Sequence, residues 1–259
     1  MKMREWRVLV SATDDARLNL AIDESLIRNL VMHGNPNTIR IWQNQASVII
    51  GRSQDPRAEV NIDVCRGLGI PVLRRFSGGG TVYTDRGCYN YSVVARSDAI
   101  PGPRTLPAVY RFICSAVMNA ISDFGLRPLL VPPSSIFVQG YKVSGSAQYL
   151  LRDCLLQHGT LLVNSNLEVM QSVLSRDSRV AGLAHSVPST PAPVANLSEL
   201  AGRHLSRKEA RDAMIRELTS LFGQPWKRGS LSKSEDDMAR CLLEQDHSVP
   251  YAANLRLAR

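Results

Sequence analysis

Arg75-Phe76-Ser77-Gly78-Gly79-Gly80-Thr81-Val82 joins a strand-like segment, Pro71 to Arg75, to the β-formers Thr81-Val82-Tyr83. Glycine has no Cβ and reaches positive φ freely, so three in a row let a backbone approach a polar ligand closely. Arg74 and Arg75 add positive charge and Ser77 a hydroxyl, and the amides of the triplet suit a phosphate or carboxylate. A dinucleotide-binding glycine turn would open a helix; this one opens a strand, so a regular doubly wound fold is excluded. A glycine triplet alone is equally consistent with a bulge or turn.

Working outward, Ala16 to Val31 carries Leu18, Ala21, Ile22, Leu26, Ile27 and Leu30 at helical spacing, with Asp23 and Glu24 between them. Thr38 to Trp42 and Ala46 to Ile50, separated by Gln43-Asn44-Gln45, predict a hairpin. Val60 to Leu68 predicts a helix ended by Gly69. Tyr89 to Val94, after Asp85-Arg86-Gly87, predicts a strand paired in a hairpin with Thr81 to Tyr83, the glycine loop lying at its open end. Ala108 to Phe124 reads as a helix closed by Gly125. Ile136 to Val138, Gln139-Gly140 and Tyr141 to Val143 read as strand, tight turn and strand, the last continuing from Ser144 to Cys154. Leu155 to Val163 is a strand and Leu167 to Leu174 a helix. Ser186 to Pro193 is linker-like, and Ser206 N-caps a helix running to Phe222. Strands in hairpins with helices inserted between them predict a mixed β-sheet of α+β or α/β type.

Size, charge and cysteine usage narrow the class. With 259 residues, 44% hydrophobic and 21% charged, the chain can build a core without staples. Five cysteines with no C-x-x-C pair point to free thiols in a reducing compartment and to no metal site. No apolar run is long enough to cross a bilayer, and Met-Lys-Met-Arg-Glu-Trp lacks the apolar core of a signal peptide. Neither a membrane nor a nucleic-acid partner is expected, since aromatics are only 6% and do not interleave with the basic residues; the expected address is cytoplasmic. The net charge of +8 is partly local to the segment 201–259, expected to be basic and helical, through Arg203, Arg207, Lys208, Arg211, Arg216, Lys227, Arg228, Lys233, Arg240, Arg256 and Arg259. That face is either solvated or a dock for an acidic protein.

A second chemical segment is Lys142-Val143-Ser144-Gly145-Ser146-Ala147. Small residues pack poorly in a strand but suit a ligand lying against the backbone. A lysine between apolar Tyr141 and Val143 is ordinarily an exposed side chain; beside such a floor it can instead hold a phosphate as a point charge or stabilise charge developing on an acyl carbonyl.

These segments, together with Asn19 to Glu24, Trp42, Gly51 to Pro56, Asn90-Tyr91-Ser92, His158 to Leu162 and Asn196 to Leu200, resemble in order and spacing the motifs of the lipoate-protein ligase A family over roughly residues 6 to 220. The resemblance implies the catalytic fold shared by biotin and lipoate protein ligases, a mixed sheet flanked by helices. It implies one catalytic domain over 1–259, with the separate accessory C-terminal domain of longer ligases absent or supplied in trans. The implied reaction uses MgATP to convert lipoate or octanoate to an acyl-adenylate, then passes the acyl group to a lysine of a lipoyl domain, expected to be acidic. Lys142 is implied to contact the adenylate and acyl carbonyl. Arg75, Ser77, Gly78, Gly79 and Gly80 are implied on the acyl and phosphate side, Ser144 and Gly145 on the nucleotide side, His158, Gly159 and Thr160 in the wall, and Tyr83 among the substrate- or ATP-binding residues. His158 is equally readable as a satisfied core histidine.

The chain departs from the family at Thr84, Cys88 and Ser134-Ser135, where histidine, asparagine and Asn-Asp are frequent; the missing aspartate bears on metal and nucleotide handling. A related octanoyltransferase would pass the acyl group through a cysteine thioester. Those enzymes carry their cysteine where Ser134 and Ser135 stand, and tend to arginine at Gly80, although Cys88 or Cys154 could be recruited. The Gly-Arg-Gly-Arg loop of biotin ligases is absent. A non-catalytic lipoyl-binding protein is the reading from outside enzymology.

Overall fold

The structure, a computed structural model, describes residues 6–174, 189–223 and 225–244. In chain order the elements are β1 (Trp6–Val10), α1 (Ala16–His33), β2 (Asn37–Trp42), β3 (Ser47–Ile50), α2 (Pro56–Glu59), α3 (Ile62–Gly67), β4 (Val72–Arg74), β5 (Val82–Thr84), β6 (Cys88–Arg96) and α4 (Leu106–Ser122). There follow β7 (Pro128–Val131), β8 (Ser135–Val138), β9 (Tyr141–Leu151), β10 (Cys154–Leu162), α5 (Leu167–Val173), α6 (Leu197–Leu200), α7 (Arg207–Ser220), β11 (Trp226–Arg228) and α8 (Lys233–Leu243). The strands form a mixed sheet ordered β11-β1-β2-β6-β10-β9-β8-β7 and a small sheet ordered β4-β3-β5.

Alternation along the strands sorts the layers. In β2, Ile39 and Ile41 join Tyr91 and Val93 of β6 in a core closed by Ile113 and Val117 of α4 and Met214 and Leu218 of α7. On the opposite face Val94 and Leu156 pack against Ile22, Leu26 and Ile27 of α1 and Leu242 of α8. The small sheet has its own core, Val48, Ile50, Val72 and Tyr83 with Cys65, Met170 and Val173. Local signals set the boundaries. Asp15 caps α1 by accepting from the Arg17 amide at 2.8 Å, and Gly34 at φ 68° ends it. Ser206 and Glu209 form a reciprocal capping box on α7.

Both hairpins expected around the small sheet give way to a different pairing. β2 pairs with β1 and β6, whereas β3 pairs parallel with β4 and antiparallel with β5. β5 and β6 likewise lie in different sheets. The physical cause is a fully buried β3, Ser47-Val48-Ile49-Ile50, whose lack of alternation leaves its partner open. Asn44, in the connection, donates at 2.9 Å to Thr84 and turns the chain into the second sheet. The β8–β9 hairpin forms as expected, with Gln139 and Gly140 at positive φ in its turn. Of the linker-like stretch, residues 186–188 lie outside the described residues, as do 245–259 of the basic segment. Residues 189–194 are not a solvated linker: the Lys142 amide donates to Pro193 O at 2.8 Å, and Val194 bridges to Lys142.

Candidate active site

Two arginines shape the loops at the end of the small sheet. Arg75 is buried, and its guanidinium donates to Gly78 O at 2.7 and 3.0 Å, Gly80 O at 2.7 Å and Ile49 O at 3.2 Å. Arg74 donates through Nη1 to the carbonyls of Gly51, Arg52 and Gln54 at 2.8 to 3.0 Å. Burial pulls Arg75 down to about 10, still far above neutral pH. Arg75 is therefore placed under the glycine loop, its donors turned to the loop's own carbonyls.

With those carbonyls drawn inward, the amides of Gly78, Gly79 and Gly80 are left without an acceptor among the described residues. Successive free amides make a ready anion nest. Gly79 sits at φ 89°, and its carbonyl packs so closely on Gly51 that a Cβ there would lie 2.1 Å from the oxygen. Gly80 abuts Ser189, whose hydroxyl accepts from the Thr81 amide at 2.8 Å and from Gln54 Nε2 at 3.1 Å and donates to Glu59. Ser189, Gln54 and Glu59 form a rim that sequence reasoning missed, because nothing local marks a serine of a proline-rich stretch as a loop anchor.

Lys142 reaches the same face through a β-bulge. Ile136 pairs with Ser144 but Phe137 with Lys142, so Val143 is an extra residue on β9 and the side-chain phase shifts. The lysine side chain consequently lies over Gly145, where a Cβ would meet its Nζ at 3.2 Å. Half-buried, the Lys142 ammonium has no ion-pair or hydrogen-bond partner among the described residues, and burial lowers its pKa. Gly145 pairs with Thr160 and Ala147 with His158. A Cβ on Gly79 would come 3.2 Å from that of Ala147, which joins the glycine loop to the strand floor.

The remaining expected site residues divide by sheet face. His158 lies on the α1 face, with Nε2 2.7 Å from Ser77 Oγ and Nδ1 3.1 Å from Asp23 Oδ2. Ser144 pairs with Leu161 of the α4 and α7 core, its buried hydroxyl without a partner. Gly159 lies under Tyr91, where a Cβ would sit 2.6 Å from the hydroxyl oxygen. Tyr83 belongs to the small-sheet core. The chain thus brings Ser77, Gly78 to Gly80, Lys142, Gly145, His158 and Thr160 together, and turns Ser144, Gly159 and Tyr83 into neighbouring layers. Asp23 was the legible omission: an acid one turn before Leu26 and Ile27 must find a partner or neutralise.

The cysteines stand apart. Cys88 packs in the small-sheet core and Cys154 in the core against α1. Burial pushes the Cys88 thiol well up, so it carries no thiolate at neutral pH.

The mixed sheet flanked by helices, with Lys142 on its strand floor and the glycine loop against Ala147, is a ligase-type fold. The family described as lipoyl protein ligase A/B catalytic domain matches residues 15–219, and the chain belongs to it. It is similar to lipoate-protein ligase A subunit 1 of Thermoplasma acidophilum, 29% identical over 257 residues with 95% of each chain covered. Lipoate-protein ligase LplJ of Bacillus subtilis is 30% identical over 206 residues, which are 79% of this chain and 60% of that one. Among solved structures, a bipartite lipoate protein ligase from Thermoplasma acidophilum, described with its E2 lipoyl domain, superposes with TM-score 0.79 at 27% identity over 94% of both chains. A lipoate-protein ligase A bound with ATP superposes with TM-score 0.79 at 27% identity, covering 94% of this chain and 96% of that one.

Proposed function

We propose that the chain activates lipoate with ATP and transfers the acyl group to a lysine of a lipoyl domain. The observation that carries this reading is the Lys142 ammonium, unpartnered among the described residues and lying over Gly145 of the strand floor, together with the free amides of Gly78 to Gly80 in a loop that meets the same floor at Ala147. A half-buried cation and a run of amides without acceptors both suit an anionic ligand.

In the first step a carboxylate oxygen of lipoate attacks the α-phosphorus of ATP, the bond to the β-phosphate oxygen breaks, and pyrophosphate leaves. Charge grows on the phosphoryl oxygens, and Lys142 with the glycine amides faces it without reorganising. In the second step the ε-amine of the acceptor attacks the acyl carbon, the bond to AMP breaks, and the amine's proton departs with the products. Lys142 stabilises the oxyanion formed there. Neither step requires a nucleophile from the chain; positioning supplies the rate. Gly145 and Thr160 complete the floor in this reading, while Arg75 holds the loop's carbonyls.

Among the described residues no three His, Cys, Asp or Glu side chains gather as a metal site. Magnesium in this reading arrives on the nucleotide, whose phosphates are its ligands. A separate accessory polypeptide agrees with the bipartite relative. An acidic acceptor draws support from the net charge of +8, although Arg203, Lys208, Arg211, Arg216, Lys233 and Arg240 each lie against a carboxylate of the chain's own helices. No helix among the described residues is long and apolar enough to cross a membrane. In this reading the address is cytoplasmic, where five free thiols persist.

The thioester reading needs an accessible thiolate, which neither Cys88 nor Cys154 offers where they are packed. A pyrophosphate-release assay with lipoate and MgATP tests the ligase reading. Lipoate-dependent release is expected; none, even with an accessory protein added, would leave the non-catalytic lipoyl-binding reading.

A further inference from the structure

A buried hydrogen-bond chain leads from the glycine loop into the interior, and its protons can be placed one by one. Asp23 accepts from Arg40 Nη1 at 2.7 Å and from Ser92 Oγ at 2.7 Å. Ser92 accepts from Trp42 Nε1 at 3.0 Å, so its own proton goes to Asp23. Burial alone would push the Asp23 carboxyl up, but Arg40, His158 and Ser92 together hold it below the usual carboxylate range. An ionised carboxylate only accepts, so His158 Nδ1 carries a proton and donates it to Asp23. A neutral imidazole then has its lone pair on Nε2, and the Ser77 hydroxyl donates to it. A doubly protonated ring would leave the Ser77 proton buried with no acceptor among the described residues.

We propose that Asp23 and His158 are positioning residues for adenylation, an inference that rests on the ligase reading. Through the Ser77 hydroxyl they pin the stem of the glycine loop, so that the free amides of Gly78, Gly79 and Gly80 face the incoming anion before it binds. Three consecutive glycines are otherwise costly to order, because each gives up the widest backbone freedom of any residue. The pin at Ser77 and the Arg75 bonds to Gly78 and Gly80 set that cost against folding and spare the binding step. The order Ser77, His158, Asp23 is also that of a hydrolytic triad. Ser77, however, has no exposed surface, so no acyl carbon reaches its oxygen, and the hydroxyl holds the loop.

Two substitutions leave the Arg40–Asp23 pair whole: Ser77→Ala and His158→Phe. In the adenylation half-reaction each is expected to raise the KM for ATP about 10-fold with kcat within about threefold, because lost preorganisation weakens ground and transition state alike. A merely structural defect would lower the active fraction and so kcat. The double variant is expected to match either single one, since both cut one link. Losses that multiply, wild-type kinetics in His158→Phe, or an acyl group found on Ser77 would overturn the assignment. Histidine 15N spectra give a readout free of turnover: the neutral ring of His158 should carry its proton on Nδ1, and a proton on Nε2 would contradict the pin. If the wild type releases no pyrophosphate, the ligase reading falls while the spectra still decide the pinning.

Discussion

Arg75, under the glycine loop, and Lys142, over Gly145 of the strand floor, are opposite solutions to burying a cation. Arg75 turns four hydrogen bonds to the carbonyls of Ile49, Gly78 and Gly80. Lys142 has no partner among the described residues and stays ionisable against a floor of glycine and alanine. A planar fork with five fixed donors suits permanent bonding to a loop; a point charge on a flexible stem suits a ligand that comes and goes. The filled cation builds the loop, and in the proposed reading the unfilled one serves the chemistry.

Removing the unfilled cation should give the largest effect. Lys142→Ala is expected to cut adenylation by about 10²–10³-fold or more, the scale of losing one preorganised donor in a dry site, measured as lipoate-dependent pyrophosphate release. Its fold should persist. Lys142→Met should even raise stability, by about 0.5–1 kcal/mol at neutral pH in chemical denaturation, since functional sites hold stability in reserve. The pH dependence has a definite sign. Burial depresses the folded-state pKa of Lys142, so the unfolded chain binds the proton more tightly. The wild type should therefore gain stability as pH rises through the window just below the ordinary lysine pKa of 10.5, and the advantage of Lys142→Met should shrink there.

The filled cation should behave in the reverse manner. Arg75→Met leaves buried carbonyls unpaired and is expected to cost on the order of 3 kcal/mol of stability, with activity lost as a consequence. A neutral effect on stability would erase the contrast. Next in size is Gly51→Ala, whose Cβ would fall 2.1 Å from Gly79 O. Backbone must move against backbone, for about 1–3 kcal/mol, and the ATP KM should rise with the displaced loop. Smallest is the response of acyl transfer to salt. Because much of the C-terminal basic face is already paired within its helices, raising ionic strength should slow transfer only about two- to threefold. A steep salt dependence would assign that face to partner docking.

The same contrast explains what could be read in the sequence. α1, α4 and α7 and the β8–β9 hairpin follow from local signals: apolar spacing, the Ser206 cap, and the Gln139-Gly140 turn. Arg75 and Lys142 could both be picked out as charges beside small residues, yet their opposite employment depends on what lies across space. The carbonyls that occupy Arg75 belong partly to β3, whose pairing with β4 and β5 leaves no trace in a run of buried Val48, Ile49 and Ile50. The phase of Lys142 depends on a bulge at Val143 that no pattern announces, and the same phase shift puts Ser144 on the far face. β1, with its five residues, and β11, with three exposed ones, carry too little periodicity to be seen. Ser189 reaches the loop from more than a hundred positions away.

Titrating the Lys142 ε-amino group by 15N-detected NMR, in the free protein and with pyrophosphate bound, tests its anion-binding role most sharply. A pKa below the ordinary lysine value is expected in the free protein, with a rise when pyrophosphate binds. A Lys142 that titrates normally in the free protein, and does not respond to pyrophosphate, would contradict that role.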